Sequence, residues 1–108
     1  MLHTLKRLTK QLVERRSSSW PKVRREWLKE HGECDACGTT KKLEVHHVVP
    51  FSHDPTRELD PTNLQTLCED RECHHRIGHS FDWQSANEHC RMDADVQRAR
   101  IRERIPKP

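Results

Sequence analysis

The sequence predicts a small α+β domain that needs a staple to hold it together, and three observations carry that expectation. The chain has 108 residues, 31% hydrophobic and 34% charged, so the apolar core available to one compact domain is thin. Four of the five cysteines form two close pairs, Cys34 with Cys37 and Cys68 with Cys73. Between the pairs lies LEVHHVV (43–49), apolar and β-branched as a strand is, while the segments outside them carry helical spacing.

Taken in order, Leu2, Leu5, Leu8 and Leu12 alternate with Lys6, Arg7, Lys10 and Arg15, the pattern of an amphipathic first helix ending near Ser17–Ser19. A second helix is expected from Trp20 and Pro21, with the serines as caps, Val23, Trp27 and Leu28 on one face and Gly32 at the exit. Trp20 and Trp27 read as core anchors rather than as base-stacking groups. Pro50 stops the strand that ends in His46 and His47. Residues 51–62, with Asp54, Pro55, Asp60 and Pro61, read as a surface loop, followed by a short strand through Leu64, Thr66 and Leu67. A helix is expected to start near Cys73 and a last one to span 92–104, acidic at its start and arginine-rich at its end. The resulting division is a basic arm over 1–18, a domain over 19–96, and a basic helix end and tail over 97–108.

The opening MLHTLKRLTK has no apolar run of the secretory kind and no segment has the length of a bilayer span. The expectation is a cytoplasmic protein, in which close cysteine pairs serve metal rather than disulfides. Cys34 and Cys37 present two thiolates from one tight bend, with Gly38 easing the turn; Cys68 and Cys73 do so across a longer turn through EDRE. Four soft ligands suit a structural Zn2+, which contributes roughly 10 to 16 kcal/mol of apparent free energy in small zinc peptides. The other reading is four free thiols. Cys90 is left over and reads as a small buried hydrophobe.

The net charge of +3 conceals a division: the sums are +6 over residues 1–31, −6 over 32–90 and +3 over 91–108. Basic flanks around an acidic, histidine-rich centre fit a polyanion held by the flanks and cations held by the centre. A solvated helix face is the competing reading of the same charges.

In the order CxxCG, LEVHHVVP, PTNLQTLC, CHHRIGH, the segment from about Arg16 to Asp95 resembles the HNH endonucleases, and within them the short, often phage-encoded proteins with an SxWPxVR segment before the knuckle. The resemblance implies a ββα-metal (His-Me finger) motif with flanking helices, and metal-dependent hydrolysis of DNA phosphodiester bonds. By position it makes His47 the general base, Asn63 the central asparagine, and His46 and His74 ligands of a catalytic divalent cation, Mg2+, Mn2+, Ni2+ or Zn2+. His79 matches the terminal histidine, either a third ligand or a phosphate contact. His75 stands as the alternative to His74, since at four residues from His79 it would share a helix face with it. In the implied reaction His47 takes a proton from the attacking water, and Asn63 fixes the loop and the ring of His47.

The residues support a division of labour independently. Neighbours on a strand face opposite ways, so one of His46 and His47 can hold a cation while the other stays free to accept a proton near neutral pH. The DNA grip would come from Arg15, Arg16, Lys22, Arg24 and Arg25 in front and Arg98, Arg100 and Arg102 behind. DNA is the expected partner, with phage packaging proteins or a homodimer as further ones, and no membrane. The alternative is a non-catalytic zinc-binding module that holds DNA or protein. A two-Cys two-His finger strands Cys68 and Cys73, and a zinc deaminase lacks its HxE and PCxxC elements.

Overall fold

Two five-residue strands, β1 (Leu43–His47) and β2 (Leu64–Cys68), pair antiparallel with Leu43 opposite Cys68, Val45 opposite Thr66 and His47 opposite Leu64. This structure is a computed structural model and describes residues 16–104. The expected first helix, Arg15 and the end of the tail lie outside the described residues. Every residue of β2 is buried, so this strand carries the sheet's share of the core, whereas β1 is buried only over its last three residues.

Helix α1 (Trp20–Glu30) begins where proline in the first turn predicts. The expected serine cap does not form. Ser19 at the N-cap makes no side-chain cap bond, and the hydroxyl of Ser17 instead accepts from the Ser19 N–H at 3.1 Å. No residue of α1 is fully buried, and the helix is held to the sheet by Trp27. Its indole N–H donates to Thr66 Oγ1 at 3.0 Å, and that hydroxyl donates to the carbonyl of His31 at 2.9 Å. Trp20 packs against His47, with ring centroids 4.6 Å apart.

The connection between the strands contains two 3-10 turns, Pro55–Arg57 and Pro61–Asn63, each opened by an aspartate, Asp54 or Asp60, that accepts from the N–H and hydroxyl two residues on. The helix expected from Cys73 shrinks to one wide π-type turn, His74–Gly78. Helix α2 (Cys90–Arg104) starts two residues before expectation, and Asn87 ties its first turn to the wide turn by donating to Asp93 and to the carbonyl of Ile77, both at 2.8 Å. Cys34, Ala36, Leu67, Cys68, Cys73, Ile77, Cys90 and Ala94 form the core. Most of these side chains are small, which is why sulfur chemistry must do what apolar area cannot. Among the described residues no helix is long and apolar enough to cross a membrane.

Candidate metal centre

Two groups of ligating side chains gather among the described residues, Cys34/Cys37/Cys68/Cys73 and His46/His74/His79, each with its ligand atoms within 4.8 Å of one another. The first group closes the domain. The Cys34–Thr39 bend is held by the Gly38 N–H to the Cys34 carbonyl at 2.8 Å and the Cys34 N–H to the Thr39 carbonyl at 2.9 Å, with Gly38 at φ 82. The EDRE loop returns the chain through Glu72 in the left-handed region, at φ 59.

Cys34, Cys68 and Cys73 are buried and Cys37 is half-buried. Cys37 Sγ and Cys68 Sγ lie 3.6 Å apart, close to the roughly 3.8 Å that separates two sulfurs each about 2.3 Å from a tetrahedral zinc. Donors point at the sulfurs from outside: the Arg71 N–H to Cys68 at 3.4 Å, Arg76 Nη2 to Cys73 at 3.6 Å and Gln97 Nε2 to Cys73 at 3.7 Å. The Cys73 thiol and the N–H groups of Cys37, Ala36 and Cys68 push the Cys34 thiol down to about 4, while its thiolate in turn pushes Cys73 up and burial pushes Cys37 up. Four crowded sulfurs that share protons in this way fit zinc, which replaces those protons with one cation.

The second group is set by β1 and the wide turn. His46 is 3% exposed and its Nε2 is buried without a hydrogen-bond partner. His74 and His79 meet its ring edge-on, with centroids 5.1 and 4.9 Å away. His74 Nδ1 lies 2.7 Å from Glu69 Oε1 and His79 Nδ1 lies 2.9 Å from the Ser85 carbonyl. Both oxygens only accept, so each neutral ring carries its proton on Nδ1 and turns the Nε2 lone pair inward. Those two Nε2 atoms stand 3.2 Å apart, a repulsive contact for two lone pairs. An orphaned nitrogen beside two opposed lone pairs fits a divalent cation with imidazole ligands whose outer nitrogens are fixed by acceptors.

His75, the alternative to His74, lies outside this group and stacks on Trp83 at 4.6 Å. A turn wider than an α-helix brings residues five apart, here His74 and His79, back to one side, whereas α-helical spacing favours four. Burial pushes His46 down to about 3, aided by the neighbouring His74 and His79, and pushes His79 down as well. His46 and His79 are therefore neutral ligands near pH 7.

His47 faces away from this group. Its Nε2 lies 2.9 Å from the Glu58 carbonyl, so Nε2 carries the proton and Nδ1 keeps the lone pair. Burial lowers its pKa, against the opposing pull of that carbonyl. Asn63 is fully buried and clamps the connection between the strands, accepting from the Val49 N–H at 2.8 Å and donating to the carbonyls of Val49 at 3.0 Å and Arg57 at 3.2 Å. It fixes the loop, as expected, but not the ring of His47, which the Glu58 carbonyl holds instead. The buried Glu58 carboxylate accepts from the Ser17 N–H at 2.9 Å and pairs with Arg16 at 3.4 Å, so one residue anchors both the front of the chain and the ring. The sequence reading missed Glu58, Glu69 and Ser85; an acceptor carbonyl leaves no mark in a sequence.

The basic residues divide. Arg16 lies over the Phe51 ring at 4.4 Å as well as pairing with Glu58. Arg24 pairs with Glu44 at 3.3 Å. Arg98 donates to the Cys34 carbonyl at 3.1 Å and packs on Gly38, pairing weakly with Glu33 at 3.8 Å. Lys22, Arg25, Arg100 and Arg102 are exposed.

No curated protein and no solved structure matches the chain. A family model described as HNH endonuclease matches residues 34–80. That stretch holds all four cysteines of the first group together with His46, His47, Asn63, His74 and His79, so both ligand groups lie within the segment that is similar to the HNH endonucleases.

Proposed function

We propose that the protein is a metal-dependent DNA endonuclease that hydrolyses phosphodiester bonds, with His47 as general base and His46, His74 and His79 as the ligands of the working cation. The observation that carries the reading is the convergence of three imidazoles, two with the outer nitrogen on an acceptor and the third with a buried nitrogen that has no partner. A purely structural histidine cluster would spend those nitrogens on protein hydrogen bonds.

His47 supports the chemistry through its own geometry. The Glu58 carbonyl holds the proton on Nε2, so Nδ1 is the atom that accepts a proton from water during attack on phosphorus. A lowered pKa keeps that atom unprotonated near neutrality. Trp20 packed on the ring and the Asn63 clamp on the loop restrict its movement. When bound, the divalent ion would supply Lewis-acid stabilisation of charge on the phosphate and the departing oxygen. Imidazole donors suit Mn2+, Ni2+ and Zn2+ better than Mg2+, which prefers oxygen. The four-cysteine site holds zinc with all its ligands from protein and serves the fold.

The test is conversion of supercoiled plasmid to nicked or linear form by the zinc-loaded protein with Mg2+, Mn2+ or Ni2+ added. Cutting by the wild type that is abolished in His47→Ala, at unchanged zinc content, supports the reading; a His47→Ala variant that cuts like wild type removes His47 as base. Absence of cutting with every metal, together with one tightly held zinc and no second divalent site, would favour the non-catalytic zinc module.

A further inference from the structure

A cavity of about 340 Å3 lies beside the four-cysteine cluster, and four of its lining residues are arginines: Arg71, Arg76, Arg100 and Arg104, with Cys37 and Gln97 among the rest. Three separate segments deliver them. Arg71 comes from the EDRE loop, Arg76 from the wide turn, and Arg100 and Arg104 sit four apart on α2, the spacing of one helix face. Among the described residues none of these four is paired with a carboxylate, whereas Arg16, Arg24, Arg57 and Arg98 each are. The Nε of Arg76 is buried and has no hydrogen-bond partner.

Gathering like charges around one cavity without an acid is unfavourable unless an anion belongs there. The cysteine cluster answers only part of this charge. A zinc ion with four thiolates carries a net charge of about −2, and four guanidinium groups carry about +4. A surplus remains, and Arg76 already places one nitrogen on Cys73 while leaving its Nε unsatisfied. Planar guanidinium groups match phosphate oxygens with paired N–H donors.

We infer that the Arg71/Arg76/Arg100/Arg104 cavity is a phosphate-binding pocket for the DNA strand, a second anchor point apart from the metal centre. This inference rests on the proposed reaction. Arg76 lies on the same turn as His74 and directly precedes the Ile77–Gly78–His79 stretch, so pocket and centre are two sides of one short segment. A nucleic-acid strand repeats its phosphate at every nucleotide and can engage both; a single small anion cannot.

The experiment measures binding of a fluorescein-labelled mixed-sequence duplex to zinc-loaded protein by anisotropy, without added divalent metal, across a salt series. The Arg100→Gln/Arg104→Gln double variant changes only exposed helix positions. It is expected to keep wild-type zinc content and melting temperature, to lose about tenfold in affinity, and to flatten the slope of log K against log salt by about 1.8, the loss of two phosphate contacts. Arg76→Gln, if it folds, is expected to weaken binding further. Affinity and salt slope equal to wild type in the double variant would overturn the pocket, even if plasmid cutting by the wild type upheld the endonuclease reading. Loss of binding in the variant with no cutting by the wild type would uphold the pocket and overturn that reading. A wild type that fails to bind duplex at low salt overturns both. Inorganic phosphate that raises the wild-type melting temperature, with duplex binding indifferent to the substitutions, would make a free anion the occupant and overturn the assignment to DNA.

Discussion

Gly78 lies against the imidazole of His46: a Cβ at position 78 would stand 3.0 Å from its Nδ1 and Cε1 and 3.2 Å from its Nε2. The third element of the motif can approach β1 this closely only because that Cβ is missing. Gly78→Ala is therefore expected to push the ring out of line with His74 and His79. A fall of about 10- to 100-fold in affinity for Mn2+ or Ni2+ is expected, the range seen when the support of a ligand is disturbed. Calorimetric titration of the zinc-loaded variant reads this directly, and an unchanged affinity would show that the ring is held by something other than this contact.

Asn63 has three partners and no exposure. Asn63→Ala leaves one N–H and two carbonyls without their partner, and a loss of about 3 kcal/mol in stability is expected, with each unsatisfied buried group costing about 1 to 3 kcal/mol. Asn63→Asp keeps the acceptor for the Val49 N–H but sets a carboxylate oxygen against the carbonyls of Val49 and Arg57, so it is expected to destabilise at neutral pH as well. Urea midpoints of the two variants provide the measurement; an aspartate variant as stable as wild type would contradict the assigned orientation of the amide.

Removal of the knuckle metal should unfold the domain. Apparent zinc binding of about 10 to 16 kcal/mol is as large as the whole stability of an ordinary domain, about 5 to 15 kcal/mol, and the core here is built largely of cysteine and alanine. A strong chelator is expected to abolish the far-ultraviolet helical signal and shift the emission of Trp20 and Trp27, and added Zn2+ to restore both. Cys73→Ser should reproduce the loss. A chelated protein that keeps its melting transition would mean that the sulfurs hold no structural ion.

The buried histidines set a pH dependence with a definite sign. Burial holds His46 at about 3 against an ordinary 6.5, and His47 and His79 are lowered as well. Below about 6.5 the unfolded chain binds protons that the folded one refuses, so the stability these rings contribute is present above that value and declines as pH falls toward the lowered folded values. Without added divalent metal, the urea midpoint is expected to drop between pH 7.5 and 5, and to drop less steeply in His46→Gln. Equal slopes in the two proteins would remove His46 as a cause. For the reaction, the lowered pKa of His47 predicts an acid limb of kcat/KM below the ordinary histidine value.

Much of this arrangement was legible before any coordinates. Proline in the first turn and the spacing of Val23, Trp27 and Leu28 located α1, the β-branched run located β1, and the paired cysteines located the knuckle, because each depends on residues near one another in sequence. The length of the turn after Cys73 was not legible. Whether its chain widens into a π-type turn depends on how Asn87 and α2 pack on it, and that width is what places His74 rather than His75 beside His79. Charge was legible only as a sum: Arg16, Arg24 and Arg98 look alike in the sequence to Arg71, Arg76 and Arg104, and the first three have carboxylate partners in the fold.

The sequence alone determined which atoms are available for chemistry: four thiols in two pairs, a histidine doublet closing a strand, an asparagine before the next strand and histidines after the last knuckle cysteine. Only the tertiary structure decided which nitrogen of each ring is free, because that depends on the acceptor facing the other nitrogen: a carbonyl from Glu58, a carbonyl from Ser85 and a carboxylate from Glu69. Side-chain identity is local, but the direction of a lone pair is settled by the chain that folds back against it.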